Sequence, residues 1–188
     1  MWAELFAVSP KEPEVVSSRS SQPRERLGDI PANAPLHLAL HEPQIPPNAG
    51  NVARLCGATG CALHLIEPLG FSIDDRELKR AGLDYWHSLT VTVHPSLDEF
   101  LDRMATRSMW FFSTKAQRHY AEAAYSYGDV LVFGKETAGL PQTLLETHAD
   151  RALRIPMRPD SVRSLNLSTA VGIVAYAALG RLGFPGLH

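Results

Sequence analysis

The chain has 188 residues, 45% of them hydrophobic and 20% charged, which suits one domain with a sizeable core. Its net charge of −2 carries no global basic excess, so contact with nucleic acid has to rest on local clusters of Lys and Arg. Two cysteines are too few for a disulfide framework or, with His64 alone nearby, a zinc site, and no apolar run approaches the ~18 residues of a membrane span.

Residues 1–35 are rich in Pro, Ser and charge, and are expected to form a disordered or loosely attached extension. Their start lacks the apolar core of a signal peptide, so a cytoplasmic protein is expected, with Cys56 and Cys61 as reduced, buried small hydrophobes. The folded domain is expected over residues 36–188. LHLAL at 36–40 has the pattern of a strand. HEPQIPPNAG at 41–50 is too rich in proline for regular structure and is read as a loop. A helix follows at 51–60, with Asn48 or Gly50 near its start and Gly60 at its end. Further strands are expected at 62–66, 89–93, 109–113, 129–133 and 153–155. Between them fall helices at 76–82, at 96–107 with Ser96 as cap, and at 141–149 with Pro141 in the first turn. Pro156 ends ladder pairing after the last strand. From Asn166 the spacing of Ala170, Val171, Ile173, Val174, Ala177 and Ala178 predicts a helix, with Ser164 and Asn166 as candidate N-caps. Strands alternating with helices give an α/β fold, a mainly parallel sheet covered on both faces. The last helix is apolar nearly all round, so it should be covered on more than one side, by the core and by a two-fold partner.

In such a sheet the loops leaving the carboxyl ends of the strands collect on one edge, where ligands bind. Three of them stand out: Pro47-Asn48-Ala49-Gly50-Asn51-Val52-Ala53-Arg54, Phe133-Gly134-Lys135-Glu136-Thr137-Ala138-Gly139-Leu140-Pro141, and the loop within the stretch Leu153 to Leu179. No G-x-G-x-x-G follows a strand and no G-x-x-x-x-G-K-[ST] is present, so a phosphate cradle is not indicated. Asp74 and Asp75 are adjacent and face different ways, which makes a poor acid–base pair. Basic residues cluster twice: Arg76, Lys79 and Arg80, then Arg151, Arg154, Arg158 and Arg163.

These three stretches, N-x-G-N-x-x-R, F-G-x-E-T-x-G-L-P and I-P-M…V-R-S-L-N-L-S, resemble the three ordered motifs of the SPOUT RNA methyltransferases of the SpoU branch. Glu42 to Asn48 (E-P-x-I-P-P-N), Arg80 to Trp86 (R-A-G-L-D-Y-W) and the ending Gly183 to Gly186 (G-F-P-G) are similar to the short TrmL (YibK-type) tRNA ribose methyltransferases. The resemblance covers residues 36–186. It implies a C-terminal trefoil knot, a homodimer, S-adenosylmethionine as donor without a metal, and the 2′-hydroxyl of the tRNA wobble nucleotide as acceptor. It further implies that backbone groups of Phe112, Gly134, Ile155 and Ser164 hold the donor's adenosine, with Gly139, Leu140, Asn166 and Ser168 shaping the pocket. Arg54 would act on the ribose hydroxyl, with Arg163, Asn48 and Glu136 in support. Because a guanidinium stays protonated, the role open to Arg54 is charge stabilisation rather than proton removal. Two positions depart from the family: Ala138 stands where Arg is common, and Lys135 where an uncharged residue is usual. Two other readings remain open, a ribosomal RNA target and a non-catalytic knotted RNA-binding protein.

Overall fold

The computed structural model describes residues 30–72, 89–159 and 162–188. Seven strands form one sheet: β1 (Leu36–His41), β2 (Ala62–Ile66), β3 (Val91–His94), β4 (Met109–Phe112), β5 (Arg118–His119), β6 (Asp129–Phe133) and β7 (Ala152–Arg154). Their order is β3-β2-β1-β6-β4-β7-β5, and each neighbouring pair is parallel. Helices α1 (Pro46–Thr59) and α4 (Leu167–Arg181) cover one face; α2 (Leu97–Arg103) and α3 (Gln142–Thr147) cover the other. The α/β architecture expected from the alternation is therefore present.

The strands at the centre are buried on both sides, as parallel strands between helices must be. Leu36, Leu38 and Leu40 of β1 face Val52, Ala53, Cys56, Val171, Val174 and Ala178 of α1 and α4. Val130 and Val132 of β6 face Phe100, Leu144 and Leu145. Cys56 and Cys61 are free and buried, and burial pushes both thiols up from their usual range. No helix among the described residues is long and apolar enough to cross a membrane.

On the α2 face three histidines line up across β1, β2 and β3. His37 Nδ1 lies 2.9 Å from His64 Nε2, His64 Nδ1 lies 3.0 Å from His94 Nε2, and His94 Nδ1 lies 2.8 Å from Glu99 Oε2. With Glu99 ionised and the rings neutral, His94 is the donor and the same sense runs down the row: each ring donates from Nδ1, and His64 and His94 accept at Nε2. At the far end, His37 Nε2 is buried without a partner. With all three rings neutral, every contact along the row has one donor and one acceptor. Burial pushes each one down, His37 to about 4.

Several boundaries differ from the sequence reading. The first helix begins at Pro46, not near Gly50, because Pro46 and Pro47 occupy its first turn, where no backbone donor is needed. The last strand is Ala152–Arg154, and Ile155 follows it in irregular chain. The third and fourth strands are Val91–His94 and Met109–Phe112. The two-residue β5 had no sequence signal; at a sheet edge it is too short to show periodicity. Ser96 caps α2, accepting from Glu99 N at 3.2 Å. Residues 30–35, assigned to the extension, touch the fold: Tyr127 Oη donates to the Asn33 carbonyl at 2.6 Å and Gly128 N to that of Pro35 at 2.9 Å. The rest of the extension, the helix at 76–82 and the Arg80 to Trp86 motif lie outside the described residues, as do Asp74, Asp75 and the first basic cluster.

Candidate functional site

The strand order reverses at the centre of the sheet. From β1 the chain moves out through β2 to β3, then resumes on the other side at β4. Such a switch point opens a crevice beyond the carboxyl ends of the strands. The loops after β1, β4, β6 and β7 all line one cavity there, of about 590 Å³. That is the size of a nucleoside-class ligand site. Phe112 and Phe133, the last residues of β4 and β6, stack at 4.6 Å between ring centroids and form its apolar floor.

A single hydrogen-bonded line closes the loops around this floor. It starts at Glu136, in the loop after β6. Its carboxylate accepts from Gln44 N at 2.9 Å, Ile45 N at 3.2 Å and Asn48 Nδ2 at 2.8 Å. Ile45 is the N-cap position of α1 and has no side-chain cap of its own. A carboxylate from 91 residues away thus serves the free amides of that helix start, where negative charge is favoured. Asn48, 4% exposed, passes the line on: its Oδ1 accepts from Asn166 Nδ2 at 2.9 Å. Asn166 Oδ1 in turn accepts from Thr169 N at 3.2 Å, capping α4, and from Ser168 Oγ at 2.8 Å. Of the two cap candidates, Asn166 is the one used. Glu136, Asn48 and Asn166, each from a different motif, are therefore one unit.

The loop after β6 is folded back on itself. Lys135 O accepts from Gly139 N at 2.9 Å. A side chain at Gly134 would run into the Gly139–Leu140 peptide, so the two chain segments touch as only glycine allows. Gly139 holds φ +72°, the left-handed conformation the turn requires, whereas Gly134 does not. Lys135, the departure from the motif, pairs with Glu42 at 2.6 Å and so ties this loop to the one after β1. That bond, first of all, holds the Glu42 carboxyl below its usual range. Ala138 is exposed on the cavity wall.

Of the residues singled out from sequence, Asn48, Phe112, Gly134, Glu136, Gly139, Leu140, Ile155, Arg163, Ser164 and Asn166 all line the cavity. Ser168 adjoins it through Asn166. Arg54 does not line it. It is exposed on α1, six residues beyond Asn48, which is about 120° round the helix and about 9 Å along it. With the helix starting at Pro46, it is Ile45 and Asn48 at its first turn that face the cavity. Lys115 and Met157 also line the cavity and were not singled out: Lys115 lies outside the three motifs, and Met157, although part of the third, offers no polar side-chain group. No cluster of three or more potential metal-ligating side chains occurs among the described residues.

Known proteins are similar to this chain over most of its length. The tRNA (cytidine(34)-2'-O)-methyltransferase of Saccharophagus degradans is 50% identical over 151 residues, 80% of this chain and 97% of that protein. A solved structure described as giving insights into the 2-OH methylation of C/U34 on tRNA is 46% identical, with a TM-score of 0.74 over 79% of this chain and 96% of that one. More distant is an AdoMet-bound rRNA methyltransferase from Sinorhizobium meliloti, 25% identical, with a TM-score of 0.70 over 79% of this chain and 59% of that one. The match to the SpoU rRNA methylase family runs over residues 35–176, from β1 through most of α4, and takes in all four cavity loops; the chain belongs to that family.

Proposed function

We propose that this protein transfers a methyl group from S-adenosylmethionine to the ribose 2′-hydroxyl of the wobble nucleotide, position 34, of tRNA. The observation that carries the reading is the Glu136–Asn48–Asn166 line, which fixes three loops around one nucleoside-sized cavity, in a chain half identical to a named tRNA ribose methyltransferase. The cavity suits the donor. Its floor is the Phe112–Phe133 stack, and main-chain groups at Gly134, Ile155 and Ser164 are available on its walls for the adenine and ribose. When bound, the donor supplies an electrophilic methyl group on a sulfonium centre. The protein's task is then positional: an oriented hydroxyl in line with that methyl gains most of the rate.

Arg54 and Arg163 are the charged groups for the acceptor. Arg163 lines the cavity and is exposed, where it can hold a substrate phosphate. Arg54 meets the RNA backbone rather than the donor. Its guanidinium binds the phosphate beside nucleotide 34 and stabilises charge growing on the 2′-oxygen. The proton leaves to that phosphate or to water.

The working unit is a homodimer built on α1 and α4. Ile173 and Tyr176 of α4 are exposed, 36% and 49%, beside Gly172 on the side turned away from the core. A trefoil knot is part of the same reading. The chain leaves β7 on one side of β6 and returns as α4 against α1 and β1 on the other, with the loop after β6 sharing the cavity wall with Ile155, Met157 and residues 163–167. A tRNA substrate sets the work in the cytoplasm. The test is transfer of labelled methyl from S-adenosylmethionine to total tRNA and to ribosomal RNA, followed by nucleoside mapping. Label in 2′-O-methylated nucleotide 34 is expected. Label in ribosomal RNA alone moves the target, and none in either leaves a non-catalytic RNA-binding protein.

A further inference from the structure

Part of the second basic cluster, with residues from β5, is not used by the cavity. Arg118 of β5 and Arg151, just before β7, both lie over the indole of Trp110, with Cζ at 6.0 Å and 4.8 Å from the ring centroid. The ring is only 6% exposed, and its Nε1 donates to Asp129 at 2.8 Å, so it is a fixed platform. Arg118 also donates to the Asp150 carbonyl, which pins its guanidinium. One step along the same strand pair, His119 stands opposite Arg154, with Arg154 Nη2 at 3.3 Å from His119 Nε2. Arg154 Nε is buried without a partner. Lys115, three residues before Arg118, and Ile155, next to Arg154, both line the cavity. A row of cations therefore runs from the cavity rim along the β5–β7 edge of the sheet.

Holding two guanidiniums on one indole costs repulsion that packing alone does not require. Asp150, with its side chain 79% exposed, is the carboxylate in ion-pair range, 3.6 Å from Arg151. An exposed pair of this kind offsets little. A stacked guanidinium, however, keeps its planar N–H edge outward, in the fork that fits a phosphate. We propose that Arg118, Arg151 and Arg154 form a phosphate-binding edge that holds the backbone of the tRNA as nucleotide 34 enters the cavity. This rests on the tRNA reading above and adds the surface that grips the substrate. Such contacts position the RNA without reading its sequence.

The test compares tRNA affinity against salt for the full-length wild type and two double variants, Arg118→Gln/Arg151→Gln and Arg118→Lys/Arg151→Lys. Thermal midpoint and S-adenosylhomocysteine affinity are measured alongside. The glutamine pair is expected to weaken tRNA binding about tenfold and to lower the slope of log K against log salt by about 1.4, two contacts at about 0.7 each for single-stranded RNA. Its S-adenosylhomocysteine affinity should stay at the wild-type value. The lysine pair keeps the charge and should restore most of the slope. Wild-type affinity and slope in the glutamine pair would overturn the proposal, and so would a lysine pair with a salt slope as low as that of the glutamine pair. If the wild type itself binds tRNA without salt dependence, the tRNA reading fails, and this edge with it. Salt-dependent wild-type binding that is untouched in the glutamine pair refutes the edge alone.

Discussion

Asn48 joins two loops that are otherwise separate, giving one amide bond to Glu136 and taking one from Asn166. Asn48→Ala takes one of three donors from Glu136 and the Asn48 acceptor from Asn166 in a half-buried place, at a cost of about 0.5–1.5 kcal/mol. The expected result is a lower thermal midpoint together with weaker donor binding by calorimetry; unchanged donor affinity would mean that the line is structural only. Gly134→Ala should act more severely, because the added methyl meets main chain rather than a flexible side chain. Overpacking of this kind costs about 1–3 kcal/mol, read as a drop in urea midpoint. Arg54 behaves differently, since it is exposed and outside the cavity. Arg54→Ala should lower single-turnover methylation by about two to three orders of magnitude, with donor affinity and stability kept. Arg54→Lys should rescue little, as a point charge lacks the bidentate fork. An alanine variant that retains more than about a tenth of the rate would remove Arg54 from the chemistry and turn attention to Arg163.

At the scale of elements, what the sequence showed and what it hid have physical reasons. Helix α4 was legible because its apolar spacing and an asparagine cap agree. The start of α1 was hidden because its cap is Glu136, supplied from 91 positions away, while its own prolines signal a loop. The cavity residues were legible as motifs, since close backbone approach at Gly134 and the φ of Gly139 demand particular residues. The histidine row was not, because His37, His64 and His94 are 27 and 30 residues apart and meet only through strand register. That row carries a pH dependence. Its imidazoles titrate lower when folded than the 6.5 of the open chain. Below pH 6.5 the unfolded chain therefore binds protons that the folded one refuses. Stability is full above that value and falls with pH until the folded rings titrate, near 4 for His37. Each such proton adds a slope of about 1.4 kcal/mol per pH unit. Urea unfolding at pH 7.5, 6.5 and 5.5 should show the loss setting in below 6.5; a flat profile down to 5.5 would mean that the rings are charged in the fold.

For the whole molecule, the all-parallel sheet brings the loops after β1, β4, β6 and β7 to one edge, and the outer face of α4 stays apolar. A dimer across that face predicts a two-chain mass in sedimentation at micromolar concentration, and a monomer on Tyr176→Asp. A wild-type monomer would contradict the assembly. The central claim is narrower still: one hydroxyl on one nucleotide receives the methyl group. The direct measurement uses two synthetic copies of a tRNA substrate that differ at a single atom, the 2′-oxygen of nucleotide 34, present in one and replaced by hydrogen in the other. With labelled S-adenosylmethionine, incorporation into the first and none into the second is the predicted result. Equal incorporation into both would place the methyl group elsewhere and contradict the account.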